Sequence, residues 1–111
     1  MSRHVVTREI PADHPAFDGH FPGAPLLPGV ALLAAVMEAA CARPEIAHRF
    51  AQGSTLAQAK FLAPVRPASR LELAFDDDEH GLRFEVRAAE VVAARGQWTW
   101  NDVAAVKEPA R

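Results

Sequence analysis

Pro28-Gly29-Val30-Ala31-Leu32-Leu33-Ala34-Ala35-Val36-Met37-Glu38-Ala39-Ala40-Cys41 is the stretch from which the fold is read. Alanine and leucine favour helix. Pro28 suits a first turn, where its missing N–H would have no intrahelical partner, and Pro44 closes the run. The segment is apolar nearly all round, with Glu38 as its one ionisable carboxylate. Such a helix is expected to be buried on most sides, wrapped by the rest of the domain.

Downstream, the period of the pattern changes to two. Leu56 to Leu62 reads as a strand, ended by Pro64 and Pro67. Leu71, Leu73 and Phe75 alternate with Glu72, Ala74 and Asp76, and Leu82, Phe84, Val86 and Ala88 alternate with Arg83, Glu85 and Arg87. These are two half-buried strands of a hairpin, joined by the acidic turn Asp76 to Gly81. Val91-Val92 reads as a continuation of the second strand after a bulge. Arg95-Gly96 reads as a tight turn, with Trp98 and Trp100 sharing a face of a last strand. Upstream, His4 to Ile10 is rich in β-branched residues and reads as a first strand. The class is α+β: one antiparallel sheet curled around one long buried helix, the economical way to bury both. A curled sheet has free edges, and pairing them across a two-fold axis makes a dimer the minimum expectation.

With 111 residues, 50% of them hydrophobic and 23% charged, the chain reads as one globular domain over residues 1–111, its tail frayed beyond Asn101. A formal charge of −2 and scattered basic residues argue against nucleic-acid binding. Val30 to Ala42 is too short to span a bilayer, and Met1 to Ile10 lacks a secretory apolar core, so a cytoplasmic location without membrane contact is expected. Cys41 is the single cysteine, which excludes an intrachain disulfide and a thiolate metal cluster. It reads as a small buried residue of the helix. His4, His48 and His80 read as surface or turn residues. His14, Asp18 and His20 lack a further ligand pattern, so no metal site is expected.

Between the first strand and the helix stand Pro11, Pro15, Pro22, Pro25 and Pro28, with Gly19, Gly23 and Gly29. So many breakers forbid a regular element while stiffening the backbone, and a long stiff loop in a small domain is more often functional than idle. Histidine is the natural base near neutral pH, and prolines on both sides hold His20 in place. Where Pro28-Gly29-Val30 opens the helix, free N–H groups and the helix dipole favour a developing oxyanion. Gly29 has no side chain to block a close approach.

Gly19-His20-Phe21-Pro22-Gly23-Ala24-Pro25-Leu26-Leu27-Pro28-Gly29-Val30 resembles the G-H-F-P-x-x-P-x-x-P-G-V signature of hot-dog-fold (3R)-hydroxyacyl-(acyl carrier protein) dehydratases, with all eight of its fixed positions matched. Lys60-Phe61-Leu62-Ala63-Pro64-Val65-Arg66-Pro67 is similar to the family's K-F-x-x-P-V-x-P segment. The resemblance implies a hot-dog fold and elimination of water from a 3-hydroxyacyl thioester carried on acyl carrier protein or CoA. It implies His20 as base and the Gly29 N–H as donor to the thioester oxygen. Phe21, Pro28, Val30, Leu33 and Ala34 would line the substrate site, and no metal or redox cofactor is implied.

The family carries its second catalytic group, a Glu or Asp, fourteen residues after the histidine. In this chain that position is Ala34. Glu38 stands one helical turn further on, about 6 Å along the axis. Its carboxyl is the one ionisable group of an apolar helix, an environment that would suit a general acid; the other reading points it to solvent or pairs it with Arg43. Three functions follow: a homo-oligomeric dehydratase using Glu38 or a partner's carboxylate; a non-catalytic thioester-binding subunit or the acid-deficient half of a heteromeric dehydratase; and a hot-dog thioesterase.

Overall fold

The computed structural model describes residues 2–11, 13 and 27–101. Along the chain these form β1 (Ser2–Glu9), α1 (Gly29–Cys41), α2 (Pro44–Gln52), β2 (Ser54–Phe61), β3 (Arg70–Asp77), β4 (Gly81–Ala88) and β5 (Val91–Trp100). The strands make one antiparallel sheet in the order β1-β3-β4-β5-β2, so β1 and β2 are its edges.

The core lies between one face of the sheet and the helices. Leu71, Leu73 and Phe75 of β3 and Leu82, Phe84 and Val86 of β4 are buried with Leu32, Val36, Ala39 and Ala40 of α1. Full burial of side chains the size of Leu32 and Val36 is worth roughly 1.5–3 kcal/mol each. This hairpin is where alternation in the sequence is cleanest, and Phe75 pairs with Phe84 across it.

Four features differ from the sequence reading. First, α1 is not enclosed: its buried residues form one stripe, while Val30 is 75% exposed, Met37 36%, and Ala34 and Glu38 are also exposed. Val30, Ala34, Met37 and the half-buried Cys41 recur at helical spacing, so the open face is an apolar stripe.

Second, Pro44 does not only end α1; it opens α2 at its first position. That helix buries Ile46 and sets the ring of Phe50 edge-on to both Trp98 (5.4 Å) and Trp100 (5.0 Å).

Third, Val91-Val92 does not continue β4. The chain reverses at Ala89-Glu90, with φ of 51° and 66°, and Val91 begins β5. Arg95-Gly96 lies inside β5, where a Cβ on Gly96 would stand 2.2 Å from the Gln58 carbonyl oxygen and 2.8 Å from the Phe84 ring. The glycine marks a close approach, not a turn. A bulge does exist, inside β5: the register shifts between Val86↔Ala94 and Arg87↔Val92, leaving Ala93 as the extra residue.

Fourth, His4 is not a surface residue. Its ring lies 5.2 Å from that of Phe75, and its side chain is only 14% exposed. No helix among the described residues is long and apolar enough to cross a membrane.

Candidate functional site

The start of α1 meets the end of β2 at an apolar cleft of ≈ 580 Å³. One wall is Leu27, Pro28, Gly29, Val30, Leu32 and Leu33; the other is Phe61, Leu62, Ala63 and Pro64. Backbone hydrogen bonds fix the two walls. The Leu27 N–H donates to the Val65 carbonyl (2.7 Å), and the Leu62 and Ala63 N–H groups both donate to the Ala93 carbonyl (2.8 and 3.3 Å). Val65, beneath the joint, is 1% exposed.

Pro28 is extended (φ −63°, ψ 150°), and its carbonyl accepts from Ala31 (3.0 Å) and Leu32 (3.3 Å), so the helix begins sharply at Gly29. Neither the Gly29 nor the Val30 N–H has an acceptor among the described residues. These are the donors that a helix start leaves for a ligand oxygen. Against the Cα of Gly29 lies the ring of Phe61: a Cβ built there would come within 2.7 to 3.0 Å of three ring carbons.

Of the residues singled out from the sequence, Pro28, Gly29, Val30 and Leu33 line this cleft. Ala34 is exposed on α1 and is not among the lining residues. Glu38 is exposed one turn beyond it, without the apolar enclosure expected around its carboxyl. Arg43 pairs with Glu45 (3.4 Å) instead of Glu38. His20 and Phe21, like His14 and Asp18, lie outside the described residues. Phe61 and Leu62 also line the cleft; the K-F-x-x-P-V-x-P segment contains both, but the resemblance gave neither a role in the site.

No titratable side chain of the described residues lines the cleft. A second cleft of similar size (≈ 570 Å³), beside the Ala89-Glu90 turn, is instead lined by Arg70, Glu72, Arg87 and Glu90. An acyl chain suits the first and not the second.

Comparison with known proteins places this architecture. The family model described as ApeI-like, ApeI dehydratase, matches residues 1–97. The chain belongs to the ApeI-like dehydratase family. Among curated relatives it is similar to the 3-hydroxyacyl-[acyl-carrier-protein] dehydratase FabZ of Rhizobium rhizogenes, 38% identical over 72 residues, which are 61% of this chain and 46% of that one. FabZ of Symbiobacterium thermophilum is 33% identical over 75 residues, 64% and 53% of the two chains. The chain thus spans about half the length of the curated relatives it matches. Among solved structures, a chain of the dehydratase heterocomplex ApeI:P from Xenorhabdus doucetiae superposes with a TM-score of 0.73 at 27% identity, covering 92% of this chain and 96% of that one. A 1,4-dihydroxy-2-naphthoyl-CoA thioesterase from Synechocystis, 19% identical with a TM-score of 0.59 over 87% and 79% of the two chains, shares the fold. This ApeI-like family member therefore has the hot-dog fold, with an antiparallel sheet packed on its α1.

Proposed function

We propose that this chain is a dehydratase subunit that removes water from a 3-hydroxyacyl thioester on acyl carrier protein or CoA, giving the trans-2-enoyl thioester. The observation that carries the proposal is an apolar cleft opening on N–H groups at the start of α1 that have no acceptor among the described residues, in a chain whose preceding loop holds the dehydratase signature. His20 takes the proton from C2. The Gly29 N–H stabilises the charge that moves onto the thioester oxygen. The C3–O bond then breaks, and the departing hydroxyl leaves as water once an acid supplies a proton. No metal or redox cofactor is required, because the thioester itself acidifies the C2 proton.

The acid is the open position. Ala34 cannot serve, and we assign the role either to Glu38 or to a carboxylate of a second chain laid against the exposed face of α1. The apolar stripe Val30, Ala34, Met37 and Cys41 supports association, and a structural relative of similar length is itself part of a dehydratase heterocomplex. We favour a protein that works as an oligomer in the cytoplasm, with the thioester held between subunits.

Formation of enoyl thioester by the purified protein tests the reading, and activity that survives His20→Ala would remove His20 from the mechanism. Glu38→Gln separates the two acids: a loss of at least about 100-fold assigns the acid to Glu38, and unchanged turnover assigns it to another chain. If the pure protein binds the thioester without turning it over, it is the acid-deficient half, and Ala34→Glu should restore some activity. Release of free thiol from a saturated acyl thioester would instead favour the thioesterase reading.

A further inference from the structure

We infer that Phe61 decides what the site accepts at C2, the carbon next to the thioester, and leaves chain length to the rest of the cleft; this rests on the thioester reading of the cleft. Phe61 is the last residue of β2. Its backbone is held in register opposite Ala94, and the next residue, Leu62, is tied to the Ala93 carbonyl. Among the described residues its side chain joins no buried cluster, and it is 50% exposed. The ring lies over Gly29 instead, filling the space that a Cβ there would need, with three ring carbons 2.7 to 3.0 Å from that point.

The position of the ring along a bound substrate follows from bond lengths. A carbonyl oxygen accepting from the Gly29 N–H sits about 2.9 Å from the nitrogen. C2 is then within about 5 Å of the same nitrogen, because only a C=O and a C–C bond intervene. A ring packed on the Cα of residue 29 therefore neighbours C1 and C2. The distal acyl chain runs along other lining residues, Leu27, Leu33 and Leu62 among them. A methyl branch at C2 would have to displace the ring. An unbranched C2 would pack against it.

The test is calorimetric binding to the purified full-length protein of 3-hydroxyacyl pantetheine analogues in which a methylene replaces the thioester sulfur. Unbranched and 2-methyl analogues of one chain length are compared, together with an unbranched analogue of greater length. The wild type should bind the unbranched analogue at least about tenfold more tightly than the 2-methyl one, the discrimination expected of one methyl group against a fixed wall. Phe61→Ala should reduce that ratio to within about threefold, and Phe61→Leu should fall between, while the ratio of long to short chains stays as in the wild type. Unchanged methyl discrimination in Phe61→Ala, or a shift in chain-length preference in its place, overturns the inference alone. Failure of the wild type to bind any of the three analogues overturns the thioester reading and this inference with it.

Discussion

Nε2 of His4 stands 3.7 Å from Oδ1 of Asp77, and neither atom has a hydrogen-bond partner among the described residues. Their side chains are 14% and 24% exposed. A separation of this size is too long for a hydrogen bond, so both atoms have lost water without compensation, where edge strand β1 meets β3. Replacing the pair together should therefore cost nothing. His4→Val combined with Asp77→Val is expected to match or exceed the wild type by about 1 kcal/mol in urea unfolding. Each single substitution should be less stable than the double. A double variant weaker than both singles would show that each side chain stabilises the fold on its own and overturn this reading of the pair.

The Ala89-Glu90 turn carries two left-handed residues, neither of them glycine. That conformation costs a non-glycine residue about 1–2 kcal/mol, and this hairpin turn favours Asn-Gly. Ala89→Asn with Glu90→Gly should raise stability by about 1–2 kcal/mol. The bond from Arg87 Nη1 to the carbonyl of residue 90 (3.4 Å) uses only backbone on that side and can persist. No rise in the urea midpoint would count against the geometry of the turn.

Asp78 should shape the acid limb of the stability curve. Its Oδ1 accepts from the His80 N–H (2.8 Å) and the Gly81 N–H (3.1 Å). These two bonds first, with the nearby His80 and Arg83 charges second, hold its carboxyl below the usual carboxylate range. A folded value below the unfolded one means the stabilisation is fully present above the unfolded value, about 3.9. It is lost as the pH falls through the folded value. Asp78→Asn should lower the thermal midpoint at neutral pH and leave it near the wild-type value in acid, flattening the fall between. An unchanged slope would remove Asp78 from the acid transition.

The open face of α1 yields a prediction about assembly. Met37 is partly exposed in the single chain, so Met37→Lys should change its intrinsic stability by no more than about 0.5 kcal/mol. It should nevertheless abolish association, read by sedimentation. Cys41, at the end of the same stripe, reports independently. Burial pushes its thiol up, so alkylation should be slow at neutral pH and accelerate in alkaline solution. Met37→Lys should also speed it by exposing the stripe. A Met37→Lys protein with the wild-type mass in solution would place the interface elsewhere.

How much of this was legible depended on how local each signal is. The β3–β4 hairpin was readable because Leu71 to Phe75 and Leu82 to Ala88 alternate without interruption. The limits of α1 were readable because Pro28 and Pro44 bracket it. α2 was missed because Pro44 was read as a stop, although proline at a first helical position is equally a start. The Ala89-Glu90 turn carries no Asn or Gly to announce it, and Gly96 announces a turn that is absent because its real neighbours, Gln58 and Phe84, come from other strands. The same limit applies at the cleft. Leu27 to Leu33 could be placed from the motif, but Phe61 meets Gly29 only through the pairing of β2 with β5. The open face of α1 was hidden for a related reason: composition shows that a helix is apolar, not which of its faces the sheet covers.

Phe50 packs edge-on against both tryptophans of the chain, Trp98 and Trp100. Trp100 pairs with Ser54 at the start of β2, whereas Phe61, at its far end, pairs with Ala94. All the intrinsic indole fluorescence therefore originates at the docking of α2, one strand length from the cleft. Emission should follow the release of that helix during unfolding, and a ligand at Gly29 will need an optical label of its own.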